Sequence, residues 1–120
     1  MIGAVERLEK FMEDWKNEDW NGMWKNSQKT WRSKEDNNAK RLYDLFGHKN
    51  LLEYKVIGFN EVSSCCVDVE VRIGYSIAEN DIYSTYKYTL RPRLLNEIKE
   101  YYPREDGEWG VNPISMLKEQ

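Results

Sequence analysis

The chain has 120 residues and a formal net charge of −3, with five Trp and eight Tyr but only three Pro. That length suits one domain, residues 1–120, in which roughly two-thirds of the unfolded surface can be buried without disulfide or metal staples. The mild acidity and the lack of a basic stripe exclude nucleic acid as the main partner, since phosphate binding needs clustered Lys and Arg.

The first segment, "MIGAVERLEKFMEDW", alternates charge with apolar positions. Val5, Leu8, Met12 and Trp15 form one stripe with Phe11 beside it, which predicts an amphipathic helix and not a signal peptide. No apolar run in the chain approaches the roughly 20 residues that a membrane-crossing helix needs. The expectation is a soluble protein of the cytoplasm with no membrane partner. "KNED" breaks the helical pattern, and Asp19 is placed to cap a short second helix carrying Trp20, Met23 and Trp24. Gly22 weakens that helix.

In "SQKTWR", Thr30 and Trp31 suit a brief extended piece. Ser33 then opens "SKEDNNAKRLYDLFG", where Ser33 and Asp36 resemble a capping box. Ala39, Leu42, Tyr43 and Phe46 form the apolar face of this third helix, and Gly47 is its expected stop. From Leu51 the period changes to two. "LEYKVIGFNEV" reads as a strand, "EVSS" as a turn, and "SCCVDVEVRIGYSI" as a half-buried strand. In that strand Val67, Val69, Val71, Ile73, Tyr75 and Ile77 lie on one face, with Asp68, Glu70 and Arg72 on the other.

"AEND" has turn chemistry. "IYSTYKYTLRPRLL" follows as a strand with Tyr86, Tyr88 and Leu90 on one face, and Pro92 implies an edge or a bulge. Residues 94–102 fit a strand end, a loop or a helical turn. "REDGEWGVNPISML", Arg104 to Leu117, closes the chain with a turn at Gly107 and a last strand from Trp109. Three helices before four antiparallel strands predict an α+β domain, with helices packed on one face of a curved sheet to make a cone.

Cys65 and Cys66 are adjacent, so on a strand their side chains point to opposite faces and an ordinary disulfide between them is disfavoured. With His48 the sole histidine, the residues suggest neither a metal site nor a cofactor. Two reduced thiols fit a reducing compartment.

The opening helix followed by "NEDWNGMW", the third helix leading into a strand meander, and the closing "EDGEWGV" hairpin together resemble the nuclear transport factor 2-like superfamily. That group includes ketosteroid isomerases and polyketide cyclases, and its cone belongs with the cystatin-like folds. The resemblance covers nearly the whole chain in element order. It implies a mouth that takes a small hydrophobic ligand and a homodimer formed through the sheet face. Dehydratases of the superfamily use pocket histidines. A single His48, in a loop after Gly47, departs from that pattern.

An isomerase or cyclase needs a carboxylate or His as base and a Tyr or protonated acid as oxyanion donor. Asp14, Asp19, Asp68, Glu70 and Asp81 are the acidic candidates. Asp68 and Glu70 lie on the polar strand face, and no acid–tyrosine pair follows from spacing, so catalytic residues are unassigned. The candidate ligand-binding residues are aromatic and clustered around the expected mouth: Trp15, Trp20, Trp24, Tyr43, Tyr75, Tyr86 and Tyr88, with Asp19 beside them. Trp15 also fits the core stripe, whereas Trp20 and Trp24, four apart, suit a rim. Arg72, Arg91, Arg93 and Lys87 with Asp68 and Glu70 read as a solvated or dimer-forming polar sheet face.

The expected function is a small-ligand-binding or assembly domain that forms a homodimer. The alternatives are a small isomerase-, cyclase- or dehydratase-type enzyme and a module that docks another protein.

Overall fold

A computed structural model describes residues 3–36, 38–79, 82–97 and 108–117. Helix α1 (Ala4–Lys16) is the long helix, and it buries Leu8, Phe11, Met12 and Trp15 along the stripe its sequence predicts. Three short helices follow: α2 (Trp20–Lys25), α3 (Lys29–Lys34) and α4 (Lys40–Phe46). The expectation of three helices is therefore corrected to four among the described residues. Trp31, expected to be extended, lies buried inside α3, and Ser33 is an interior residue of that helix with no capping role.

The expected helix from Ser33 to Phe46 is divided by the polar run after it. α3 stops at Glu35, Asp36 adopts a left-handed φ of 53°, and the Asn38 carboxamide oxygen accepts from the Lys40 amide at 3.1 Å to start α4. Asp and Asn compete for backbone hydrogen bonds and tolerate left-handed turns, so this composition ends helices more readily than it continues them. Gly47 does stop α4, but with φ −64° and not through a left-handed cap. What requires glycine there is space: a Cβ would stand 2.6 Å from the Tyr43 carbonyl oxygen.

The five strands are β1 (Asn50–Ser63), β2 (Cys66–Glu79), β3 (Ile82–Leu90), β4 (Arg93–Glu97) and β5 (Glu108–Val111), followed by a 3-10 turn (Pro113–Leu117). They form one curled antiparallel sheet. β2 is its spine, pairing with β1 along one side and with β3 and then β4 along the other. The strand expected from Ile82 to Leu95 is two strands, because Pro92 has no N–H for the ladder. Its carbonyl accepts from the Val69 amide at 3.0 Å and holds the break against β2.

The β1–β2 turn is Ser64–Cys65, later than "EVSS", and β2 runs on through Ala78 and Glu79, which "AEND" had placed in a turn. The rest of that turn, the turn at Gly107 and the ambiguous stretch beyond Glu97 lie outside the described residues.

Alternation along β2 sends Val67, Val69, Val71, Ile73 and Tyr75 toward the helices, where they meet Leu8, Phe11, Met12, Trp15, Leu42, Phe46 and Leu94 in one core. The opposite face carries Asp68, Glu70 and Arg72. Register shifts in β1 between Leu51/Glu53, Val56/Gly58 and Glu61/Ser63 mark bulges, which bend and twist an antiparallel strand. β5 is closed at its outer edge by the chain between α2 and α3: the Val111 amide donates to Asn26 and the Gln28 amide donates to Val111.

Candidate functional site

The aromatic candidates separate into three places. Trp15 is core: it is 2 % exposed, its ring centroid lies 5.0 Å from that of Phe46, and its indole N–H donates to the Lys49 carbonyl at 3.1 Å. That bond ties α1 to the connector between α4 and β1, and the indole's one donor is satisfied.

Around α2, Asp19 is the helix cap the sequence predicts, accepting from the Gly22 amide at 3.0 Å. Trp20 packs edge-on against Tyr43 at 5.7 Å, and Trp24 packs against Trp31 at 5.5 Å. Trp20 and Trp24 are half-buried and Tyr43 is exposed. This is an aromatic belt that staples three short helices together.

The third place is the sheet. Tyr75 on β2 faces Tyr86 directly across the ladder, and Tyr88 is opposite Ile73, so all three tyrosines share the helix-side face. The rings stack: Tyr75 to Tyr86 at 5.5 Å and 27°, Tyr75 to Tyr88 at 5.8 Å and 18°. Tyr75 is 4 % exposed while Tyr86 is 40 % exposed, so the stack runs from the core out to solvent. The Lys49 ammonium lies 4.9 Å from the centroid of the Tyr75 ring, a cation–π contact.

The same connector opens a cleft on its other side. Gly47, His48 and Asn50, with the end of β2 from Ser76 to Glu79 and Tyr83 of β3, line an open depression of about 540 Å³. Asn50 donates to the Ser76 hydroxyl at 3.4 Å across its floor. His48 is exposed at its rim, with Glu79 and Tyr83 across from it. Lys49, Glu79 and Tyr83 were not singled out in the sequence. Lys49 sits in a loop, and which strand end a loop folds over is a tertiary fact.

Of the acidic candidates, Asp14 has its carboxyl pushed up, first by burial and then by the charge of Asp19, against the opposing hydrogen bond from Asn26. That bond is 3.0 Å long, and Asn26 in turn accepts from the Arg7 guanidinium at 2.7 Å. Asp14 is thus held in a polar strut between α1 and α2.

Asp68 and Glu70 face away from the helices as expected. Two Arg93 nitrogens grip Asp68 at 2.8 and 3.0 Å, and this bond holds the Asp68 carboxyl below its ordinary range. Arg91 pairs with Glu70 at 3.7 Å. Lys55 and Arg72 stand directly opposite each other on this outer face, with Lys87 beside Gly74. Asp81 lies outside the described residues.

Cys65 and Cys66 are both free thiols, and burial is the main cause that pushes the Cys66 thiol up. A raised thiol is a poorer nucleophile and metal ligand at neutral pH. No helix among the described residues is long and apolar enough to cross a membrane. No family model matches the chain, and no curated protein matches it.

Proposed function

We propose that this chain is a non-catalytic binding and assembly domain of the nuclear transport factor 2-like kind. In this reading it takes a small, planar, hydrophobic ligand against the tyrosine stack and works as a homodimer joined through its sheet, in the reducing cytoplasm. The observation that carries the reading is Tyr86, 40 % exposed yet stacked on the buried ring of Tyr75. A ring held flat by a buried neighbour is a preorganised platform, and binding on it loses little side-chain entropy. The helices placed before a curled antiparallel sheet support the family reading, and two unpaired cysteines support the compartment.

An enzyme of the isomerase type would want its carboxylate beside the tyrosines. Asp14, the described carboxylate whose pKa burial raises, is instead engaged with Asn26 in the strut between α1 and α2.

Native mass spectrometry of protein purified without added ligand, followed by a denaturing run, tests the binding reading. The expected result is an adduct that leaves on denaturation and is lost from Tyr86→Ala. With anilinonaphthalene sulfonate as probe, the same variant should weaken binding roughly two- to tenfold, from a stacking contribution of about 0.5–1.5 kcal/mol. A clean native spectrum together with equal probe affinity in both proteins would remove the ligand from the account.

A further inference from the structure

An open antiparallel sheet has to manage its free edges, because unpaired strand N–H and C=O groups template further strands. Among the described residues this sheet has three such edges, and two are blunted. β1 carries Glu53, Lys55 and Glu61 and is interrupted by register shifts at three places. β5 is covered by the Asn26–Gln28 chain.

β3 has neither protection. Its register with β2 runs without a shift from Val71↔Leu90 to Glu79↔Ile82, and Lys87 is its single charged residue. Among the described residues it pairs with β2 alone. It also exposes large apolar side chains on both faces, with Ile82 68 % and Tyr83 76 % exposed.

We infer that the free edge of β3 pairs with β3 of a second copy of this chain, antiparallel about a two-fold axis at Tyr86. The inference rests on the homodimer reading above, but places the contact at the edge of the sheet and not on its face. A two-fold axis perpendicular to the sheet must run midway between one residue of the strand and the same residue of the second copy, so that this residue faces its own equivalent. Tyr86 is the middle of the nine-residue strand, so this register uses every position from Ile82 to Leu90. It sets Lys87 opposite Thr85 of the second copy.

An axis one step further on, at Lys87, would bring two like charges face to face, which destabilises a cross-strand pair. An axis at Thr85 would leave Thr89 and Leu90 unpaired. The Tyr86 register also brings Tyr86 beside Tyr86 of the second copy on the helix-side face, so the tyrosine stack continues through the axis into one shared floor. The joined sheet would end on β1 at both sides, the edge already blunted by bulges and charge. Stacking outer face on outer face instead would draw together copies of a surface where Lys55 and Arg72 already stand opposite each other.

Light scattering on the full chain, with cysteine cross-linking in a Cys65→Ser/Cys66→Ala background, tests this. Mild oxidation should give a covalent dimer through Tyr86→Cys and none through Tyr83→Cys, whose neighbour in this register is Thr89 of the second copy. Thr85→Lys places a second cation opposite Lys87 twice per dimer and should raise the dimer dissociation constant about tenfold. A dimer that fails to cross-link at Tyr86 and ignores Thr85→Lys overturns the β3 edge and leaves the homodimer reading standing. A monomer at tens of micromolar overturns both.

Discussion

Gly22 sits inside α2, where replacement of glycine by alanine ordinarily stabilises an exposed helix by about 1 kcal/mol. Here the expected sign is reversed. A Cβ at Gly22 would lie 2.5 Å from the Asp14 Oδ2 and 2.7 Å from both the Asp14 Cγ and the Asp19 Oδ2. Both carboxylates must give way, and neither is idle: Asp14 accepts from Asn26 at 3.0 Å, and Asp19 caps the helix through the Gly22 amide at 3.0 Å. A hydrogen bond to a charged group contributes roughly 1.5–3 kcal/mol and an N-cap about 1 kcal/mol.

Partial loss of both outweighs the propensity gain and leaves Gly22→Ala destabilised by about 1–2 kcal/mol. For a chain of this length that is a fall in Tm of roughly 3–10 °C. Thermal unfolding at neutral pH, followed by far-ultraviolet circular dichroism, measures it. In an Asp14→Ala background the loss should shrink, because the nearest contact is gone and the two positions share one strut. A Gly22→Ala protein as stable as the parent, or more stable, would refute the packing of Asp14 and Asp19 against this helix.

Phe46→Ala removes a ring that lies 5.9 Å from Phe11 and 5.0 Å from Trp15 and is 1 % exposed, so urea unfolding should show a loss of about 3–5 kcal/mol. The Tyr54 hydroxyl donates to Glu13 at 2.7 Å, and burial first and that bond second push its pKa from 10.0 up to about 12. Its folded pKa is raised, so its stabilisation is complete below pH 10 and lost as pH rises toward about 12. Ultraviolet titration should accordingly show a late-ionising tyrosine that is missing from Tyr54→Phe. Asp68 is shifted down by Arg93, so its contribution is present above the ordinary value of 3.8 and disappears as pH falls through the lower folded value. Both partners are solvent-accessible, so Arg93→Ala should cost no more than about 1 kcal/mol at neutral pH, and less in high salt. Gly110→Ala would drive a Cβ to 2.6 Å from the Gln28 Cα, backbone that cannot step aside. That variant should lose amide exchange protection at Val111 and Gln28 before the rest of the sheet.

The chain carried its periodicity openly. The α1 stripe of Leu8, Met12 and Trp15, the alternation of β2, the Asp19 cap and the break at Pro92 could all be read, because each rests on neighbours within a turn or a strand and on side-chain chemistry that acts locally. The division of the third helix was legible in principle. At Glu35 and Asp36, where α3 ends, the chain has turn-forming chemistry, but the apolar face of Leu42 and Phe46 carries a helical period across the same stretch of sequence. That Tyr86 and Tyr88 share a face followed from strand alternation, whereas their sharing it with Tyr75 was set by the register between β2 and β3.

What alternation could not supply was which of those tyrosines the helices cover. Tyr75 is sealed in the core, with Lys49 over its ring, while Tyr86 is half-open, and that depends on contacts between residues far apart in sequence. The same holds for Trp15, whose indole is committed to Lys49, and for Asp14, whose raised pKa needs Asp19 and Asn26 brought beside it. Local propensity and pattern decided which elements form. Only the tertiary packing decided which groups are buried, which edges are blunted, and which strand, β3, is left bare among the described residues.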